Sequence, residues 1–257
     1  MSRSLLGAWT FVVFLFLYVP IALVVAYSFN RSQANVVWQG FTVKWYGRIW
    51  SNEPLMTALW NSVIIAAATT VISCALGTLA AWVLYRFRFP AARFIHGLVF
   101  FPMIVPEIIM GVSLLLLFSV LQVELGFTTV VIAHVTFCFP FVMIAVQARL
   151  QGLDPSLEEA AMDLGATPVG AFLRVILPFL MPSIVAGALM AFTLSIDEFV
   201  VTFFTAGAGS RTLPLEINGL IRSGLDPSVN ALSALLVVAT VVLVLAADWA
   251  RRLSLPK

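Results

Sequence analysis

Three carboxylates stand where a carboxylate is expensive. Glu107 follows Pro106 inside the apolar stretch 94–122, and Asp197 and Glu198 adjoin each other inside the stretch 183–204. An ionisable group within so long an apolar run is costly to desolvate and marks a functional position. No Lys or Arg falls inside any of the long apolar runs, so the charge partner must come from elsewhere. A cation moving past these acids would supply it, as would a charge on another subunit; a protonated carboxyl hydrogen-bonded to backbone would remove the need for one. Ser195, Glu198, Thr202 and Thr205 fall at i, i+3, i+7 and i+10. On one helix they form a polar stripe that should face a cavity rather than lipid. Asp197 lies about 100° round the same helix, nearer to Thr193 and off the stripe. Pro102 and Pro106 interrupt the third run and free backbone carbonyls beside Glu107, a feature of helices that line substrate sites. His134 reads as a hydrogen-bonded packing residue. With His96 in a different run and no Cys, Asp or Glu at metal-ligand spacing, neither a metal centre nor a catalytic constellation is expected. Cys74 and Cys138 sit in apolar runs as small buried hydrophobes.

A second group of residues lies between two apolar runs, in the connection 149–182. Asp154 can cap a helix whose first position is Pro155. Leu157, Ala160, Ala161 and Leu164 follow at helical spacing on one face, with Glu158, Glu159 and Asp163 off it. Gly165 suits the left-handed residue that ends a helix. Thr167-Pro168 repeats the cap-plus-proline start, and a second short helix is expected to run to Leu177, stopped by Pro178 and Pro182. The result is a helix–turn–helix with a small-residue face open to close approach. A helix lying on a membrane surface normally carries Lys and Arg on its polar face. This one carries acids, which suit a basic protein partner.

The elements that position both groups follow from composition. Of the 257 residues, 61% are apolar and 10% charged, against about 25% charged in soluble domains. Lipid is the solvent of such a chain. Six runs reach the roughly 20 apolar residues a bilayer core requires: 5–29, 61–85, 94–122, 127–147, 183–204 and 229–247. They are continuous rather than alternating, which excludes a β-barrel. The expected fold is therefore an all-α membrane protein of about six transmembrane helices, one transmembrane domain over 1–257 with the hairpin 149–182 within it. The first run exceeds a signal-peptide core of roughly 7–15 residues and is expected to stay as a span.

The 14 Lys and Arg residues divide nine to five between alternate connections, with Arg86, Arg88 and Arg93 clustered in one short loop. That asymmetry puts both termini and the hairpin in the cytoplasm. Asp197 then lies roughly 21 Å up its helix, in the outer part of the core. The first external connection, 30–60, holds Trp38, Phe41, Trp45, Tyr46 and Trp50, the pattern of a helix at the membrane interface. A net charge of +2 without a basic, aromatic-interleaved patch gives no reason to expect nucleic acid.

Glu159-Ala160-Ala161, Gly165, nine residues, Val175, any residue, then Leu177-Pro178 resembles the cytoplasmic EAA signature of ABC-importer permeases. Val175 stands where that signature has Ile. Ser28-Phe29-Asn30, Trp38-Gln39-Gly40-Phe41, His134-Val135-Thr136-Phe137-Cys138, the stretch 192–198 and Asp226-Pro227 resemble the spermidine/putrescine branch of that family, its second permease subunit most of all. The resemblance implies a bacterial inner-membrane complex of two six-helix permeases, two ATPase subunits and an external solute-binding protein, with the 149–182 hairpin docking on the ATPase. The chain has no Gly-Lys pair and hence no phosphate-cradling P-loop. ATP and Mg are thus expected on the partner ATPase, with no cofactor in this chain. The same architecture could serve ferric ion, a phosphonate or an opine, the acids arguing against an anion. A secondary transporter is disfavoured by the absence of an inverted repeat.

Overall fold

The computed structural model describes residues 3–32, 37–87, 90–154, 156–223 and 227–253. Pro155, Arg88, Asp226 and Lys257, which entered the sequence reading, lie outside the described residues. Among those described there is no β-strand, and four helices are long and apolar enough to cross a bilayer. These are α1 (Arg3–Tyr27), α3 (Glu53–Arg86), α6 (Phe127–Leu150) and the continuous helical stretch 168–197. That stretch comprises α8 (Pro168–Ala171), a π-helical turn (Phe172–Ile176) and α9 (Leu177–Asp197). The shorter helices are α2 (Lys44–Trp50), α4 (Ala92–Ile104), α5 (Glu107–Val120), α7 (Ser156–Asp163), α10 (Val200–Thr205) and α11 (Leu213–Ser223). The last helix, α12 (Pro227–Leu253), contains the run expected to be the sixth span.

The third run is not one straight helix. Helices α4 and α5 meet at an angle of 109°, and together they make the fifth candidate crossing. Pro102 stays inside α4, so the break belongs to Pro106 alone. A residue before proline is driven out of the helical region, and Val105 is extended at φ −72°, ψ 131°. The stop expected at Pro178 and Pro182 does not occur. Leu177 donates its N–H to the Phe172 carbonyl, five residues back, so the ladder is already displaced when Pro178 arrives without a donor. Pro182 is carried inside α9, as transmembrane helices tolerate. The fifth span therefore begins at the hairpin itself and ends earlier than expected, at Asp197.

Two compact units make up the chain: residues 1–57 with 216–253, and residues 58–215. In the first, α12 packs against α1 and α2. Its loop after α1 is organised by Asn30, fully buried. The Asn30 Oδ1 accepts from the Gln39 N–H at 2.9 Å, its Nδ2 donates to the Val37 carbonyl, and its own carbonyl accepts from the Trp45 indole at 2.7 Å. Trp45 is thereby buried and is not part of an exposed aromatic belt, because its N–H has a partner only inside the loop. Trp38, Phe41 and Trp50 remain exposed.

In the second unit, α6 is the central element. Its buried face, Cys138, Val142, Met143, Val146 and Leu150, forms one core with Ala81, Leu153, Phe172, Ile176, Leu180 and Ala191. Lipid is as apolar as these side chains, so helix association here rests on close packing rather than on exclusion of water. Glycines make that packing possible. A Cβ on Gly77 would lie 2.9 Å from the Met143 nitrogen, and one on Gly187 3.1 Å from Val142. The tightest approach is Gly207, where a Cβ would overlap the Leu125 carbonyl. Backbone cannot rotate aside as a side chain can, so Gly207→Ala is expected to destabilise the subunit by about 1–3 kcal/mol. A lower unfolding temperature of the detergent-purified protein is the measurement. An unchanged value would mean the 125–126 loop yields freely.

Candidate functional site

Two assemblies in the second unit gather the residues with chemistry. The first lies where α9 ends. Glu198 leaves the helical region at ψ 115° and is 7% exposed. Its Oε1 accepts from the Val201 N–H at 2.8 Å, so the carboxylate caps the short α10 that follows. No Pro or Gly stands at 197–199 to force this break; the capping carboxylate holds it. The expected stripe is therefore not on one continuous helix. Its members are all buried, and they converge on α6 instead of lining an open cavity. His134 Nδ1 lies 2.7 Å from Ser195 Oγ, and its Nε2 lies 2.8 Å from Thr202 Oγ1. Thr202 Oγ1 donates to the Glu198 carbonyl at 2.9 Å, so it accepts from Nε2–H, and Ser195 donates to Nδ1. One imidazole thus pins both sides of the break. Thr129 Oγ1, on the same helix as His134, donates to the Thr205 carbonyl at 2.8 Å.

Glu107 is exposed in the first turn of α5, where a helix N-terminus favours an anion. Helix α5 packs on α10, with the Phe204 ring against Gly111. Glu107 thus heads the helix that packs against α10, the short helix that Glu198 caps. Asp197 is exposed and points away from the buried set. Among the described residues no group of His, Cys, Asp and Glu is arranged to hold a metal ion.

The second assembly is the hairpin. Asp154 Oδ1 accepts from the Ser156 N–H at 2.9 Å, and that bond holds the Asp154 carboxyl below the usual carboxylate range. Helix α7 ends in a Schellman motif. Gly165, at φ +88°, donates to the Met162 carbonyl, and Ala166 donates to the Ala161 carbonyl. Thr167 Oγ1 accepts from the Gly170 N–H at 3.1 Å and caps α8. The hairpin is gripped by the end of α3. The Arg86 Nε sits 2.9 Å from Glu158 Oε1, and the Trp82 ring lies 4.6 Å from that of Phe172. Arg149, at the end of α6, covers the Phe179 ring at 4.3 Å. What is left facing outward is Leu157, Glu159, Ala160, Leu164 and Val169, with Leu164 90% exposed. An apolar, acid-edged face of that kind is built to be covered.

A family model described as the binding-protein-dependent transport system inner membrane component matches residues 73–257. The chain belongs to this family. The inner membrane component is 39% identical over 251 residues to the spermidine/putrescine transport system permease protein PotC of Escherichia coli (strain K12), covering 98% of this chain and 95% of that one. It is 42% identical over 245 residues to the PotC protein of Haemophilus influenzae, covering 95% of each. To the putrescine transport system permease protein PotI of Escherichia coli (strain K12) it is 42% identical over 233 residues, covering 88% and 83%. The fold is shared with a permease chain of a bacterial ABC transporter that imports alginate, at TM-score 0.71 and 16% identity over 99% of both chains. It is shared also with the MetNI methionine ABC transporter, at TM-score 0.64 and 20% identity over 80% of this chain and 100% of that one. The family is one of ABC-importer transport subunits and not of enzymes.

In this inner membrane component the structure brings Ser195, Glu198 and Thr202 together around His134. Glu107 lies nearby and Asp197 apart. Glu159, Ala160 and Gly165 lie on the exposed side of the hairpin; Ala161 is half-buried, and Leu177 and Pro178 begin α9. Glu158 does not face a partner, because Arg86 neutralises it within the subunit. Periodicity alone puts Glu158 and Glu159 together off the apolar face; only the EAA resemblance singles out Glu159. Their difference is set by an arginine 72 positions earlier. His134 is likewise legible as a packing residue but not as the clasp of the Glu198 break, since its partners lie 61 and 68 positions away.

Proposed function

We propose that this permease subunit carries polyamines such as putrescine and spermidine inward by alternating access. It would work with a second permease subunit, an ATPase pair holding ATP and Mg, and an external solute-binding protein. Support comes from near-full-length similarity to permeases named for spermidine and putrescine. The carrying observation is the buried Glu198 at a helix break, with Glu107 at the head of the helix that packs on α10 and no Lys or Arg inside any of the six apolar runs. A carboxylate kept in such a place needs a positive partner, and a protonated amine is one. Alternating access would expose Glu198 when the α9–α10 break opens, while Asp197 faces the partner permease. Uptake of radiolabelled putrescine and spermidine by the complex in proteoliposomes, in competition with ferric ion, a phosphonate and an opine, tests the substrate. Competition by any of these three but not by polyamines would reject it.

The subunit sits in the inner membrane with both termini and the 149–182 hairpin in the cytoplasm; the arginine distribution supports this orientation. In a variant with Cys74 and Cys138 replaced by Ala, Ser156→Cys is expected to react with a membrane-impermeant maleimide only after the cells are opened. Ser51→Cys, exposed beyond α2, is expected to react in spheroplasts. Labelling in the reverse pattern would invert the orientation.

A further inference from the structure

The imidazole of His134 is 1% exposed and spends both ring nitrogens on one neighbouring segment. Ser195 Oγ, on α9, lies 2.7 Å from Nδ1, and Thr202 Oγ1, on α10, lies 2.8 Å from Nε2. Seven residues of unbroken helix would set those two positions about 10 Å apart along the axis. One five-membered ring cannot reach across that span. The two bonds are therefore compatible only with a chain that turns between 195 and 202, and it turns at Glu198. The Glu198 cap on the Val201 N–H is a single bond made within the segment itself. The ring adds two from outside the segment, on α6. Thr129, five residues before His134, adds a third by donating to the Thr205 carbonyl. Val130, Ala133 and Cys138 of α6 are fully buried, so the clasp has a fixed base.

With both nitrogens committed to hydroxyls, the ring has no lone pair left for a cation. Any part it takes in transport is taken through Glu198. We propose that His134 is a positioning residue for transport. It holds the chain broken at 198 and so keeps the Glu198 carboxylate turned out of the helical register, where a cation can meet it. Ser195 and Thr202 serve the clasp rather than the substrate. This role rests on the reading of Glu198 as the cation's partner.

The test is uptake of radiolabelled putrescine by the assembled complex in proteoliposomes, with co-purified ATPase reporting assembly. Ser195→Ala and Thr202→Val remove a hydroxyl and almost no volume. Each should lower uptake about fivefold, the factor carried by one hydrogen bond. His134→Ala removes both bonds and should lower uptake further. His134→Gln, whose amide offers one acceptor and a donor, should recover much of that loss. The decisive arm repeats Ser195→Ala in the Glu198→Gln background. With the carboxylate gone its placement no longer matters, so the second substitution should cost nothing more. A merely structural role would cost the same factor in both backgrounds, and that result would overturn the proposal. Wild-type uptake by His134→Ala would overturn it too, even where the hydroxyl variants fail, because the hydroxyls would then serve the substrate directly. Reduced uptake by Glu198→Gln beside full uptake by all the clasp variants rejects the clasp alone. Full uptake by Glu198→Gln rejects the cation reading and the clasp's role with it.

Discussion

Uptake of putrescine and spermidine by a complex carrying Glu198→Gln is expected to fall about tenfold or more, with the subunit still folded and its ATPase bound in normal amounts. A tenfold loss corresponds to about 1.4 kcal/mol, modest for removing a charge from a site shielded from water. The geometry explains why the fold should survive. Glu198 does two things: its Oε1 caps α10 through the Val201 N–H, and its charge awaits a cation. A glutamine oxygen still accepts the capping bond, so only the second role is lost. Glu198→Ala removes both and should add a stability loss of about 1 kcal/mol from the missing cap. The diagnostic is the contrast: Glu198→Gln moves transport alone, and Glu198→Ala moves transport and unfolding temperature together. Glu107→Gln, exposed and one step removed, should weaken uptake less, and Asp197→Asn least of all. Wild-type uptake by the triple neutral variant would end the cation-pathway reading.

The second large effect is expected at Gly165. In the free subunit a side chain there meets nothing within 4 Å. The intrinsic cost of a substitution is therefore only that of holding an L-residue at φ +88°, about 1–2 kcal/mol. Docking is a different matter. Gly165 lies at the exposed turn beside Leu164, on the face expected to meet the ATPase. Gly165→Leu should abolish ATP-driven uptake and strip the ATPase during purification. Gly165→Asn separates the causes, because asparagine tolerates the left-handed region but keeps its bulk. If Asn is as damaging as Leu, the defect is steric at the docked surface. If Asn is harmless, backbone strain was the whole effect and the hairpin turn is not a contact. Normal transport in all variants would remove 149–182 from the coupling role.

How much of this was legible in the sequence depended on the range over which each feature is encoded. The first, second and fourth apolar runs, the proline break at 106, the Asp154 and Thr167 caps and the Gly165 turn are local, and they emerged in place. Where two local rules competed, sequence alone chose wrongly. Pro178 and Pro182 signal a stop, yet a π-helical turn just ahead of Pro178 absorbs the first missing bond and the helix runs on. At 198 the reverse holds: no breaker residue is present, and the helix ends because a buried carboxylate caps the next one. Long-range pairing was not legible at all. Arg86 selects Glu158 over Glu159, His134 joins Ser195 to Thr202, and the Asn30 carbonyl draws Trp45 inside.

The run from Pro168 to Asp197 has a mechanical consequence. These 30 residues form one unbroken rod, about 45 Å long at 1.5 Å per residue. One end is the hairpin held by Arg86 and Trp82; the other is the turn at Glu198 clasped by His134. A loop between them would act as slack and absorb motion. Because the π-helical turn keeps the rod whole through Pro178, a push or tilt applied at the hairpin arrives at Glu198 with its amplitude preserved. The compliance of the subunit is thereby concentrated at a single joint, the one residue beyond Asp197.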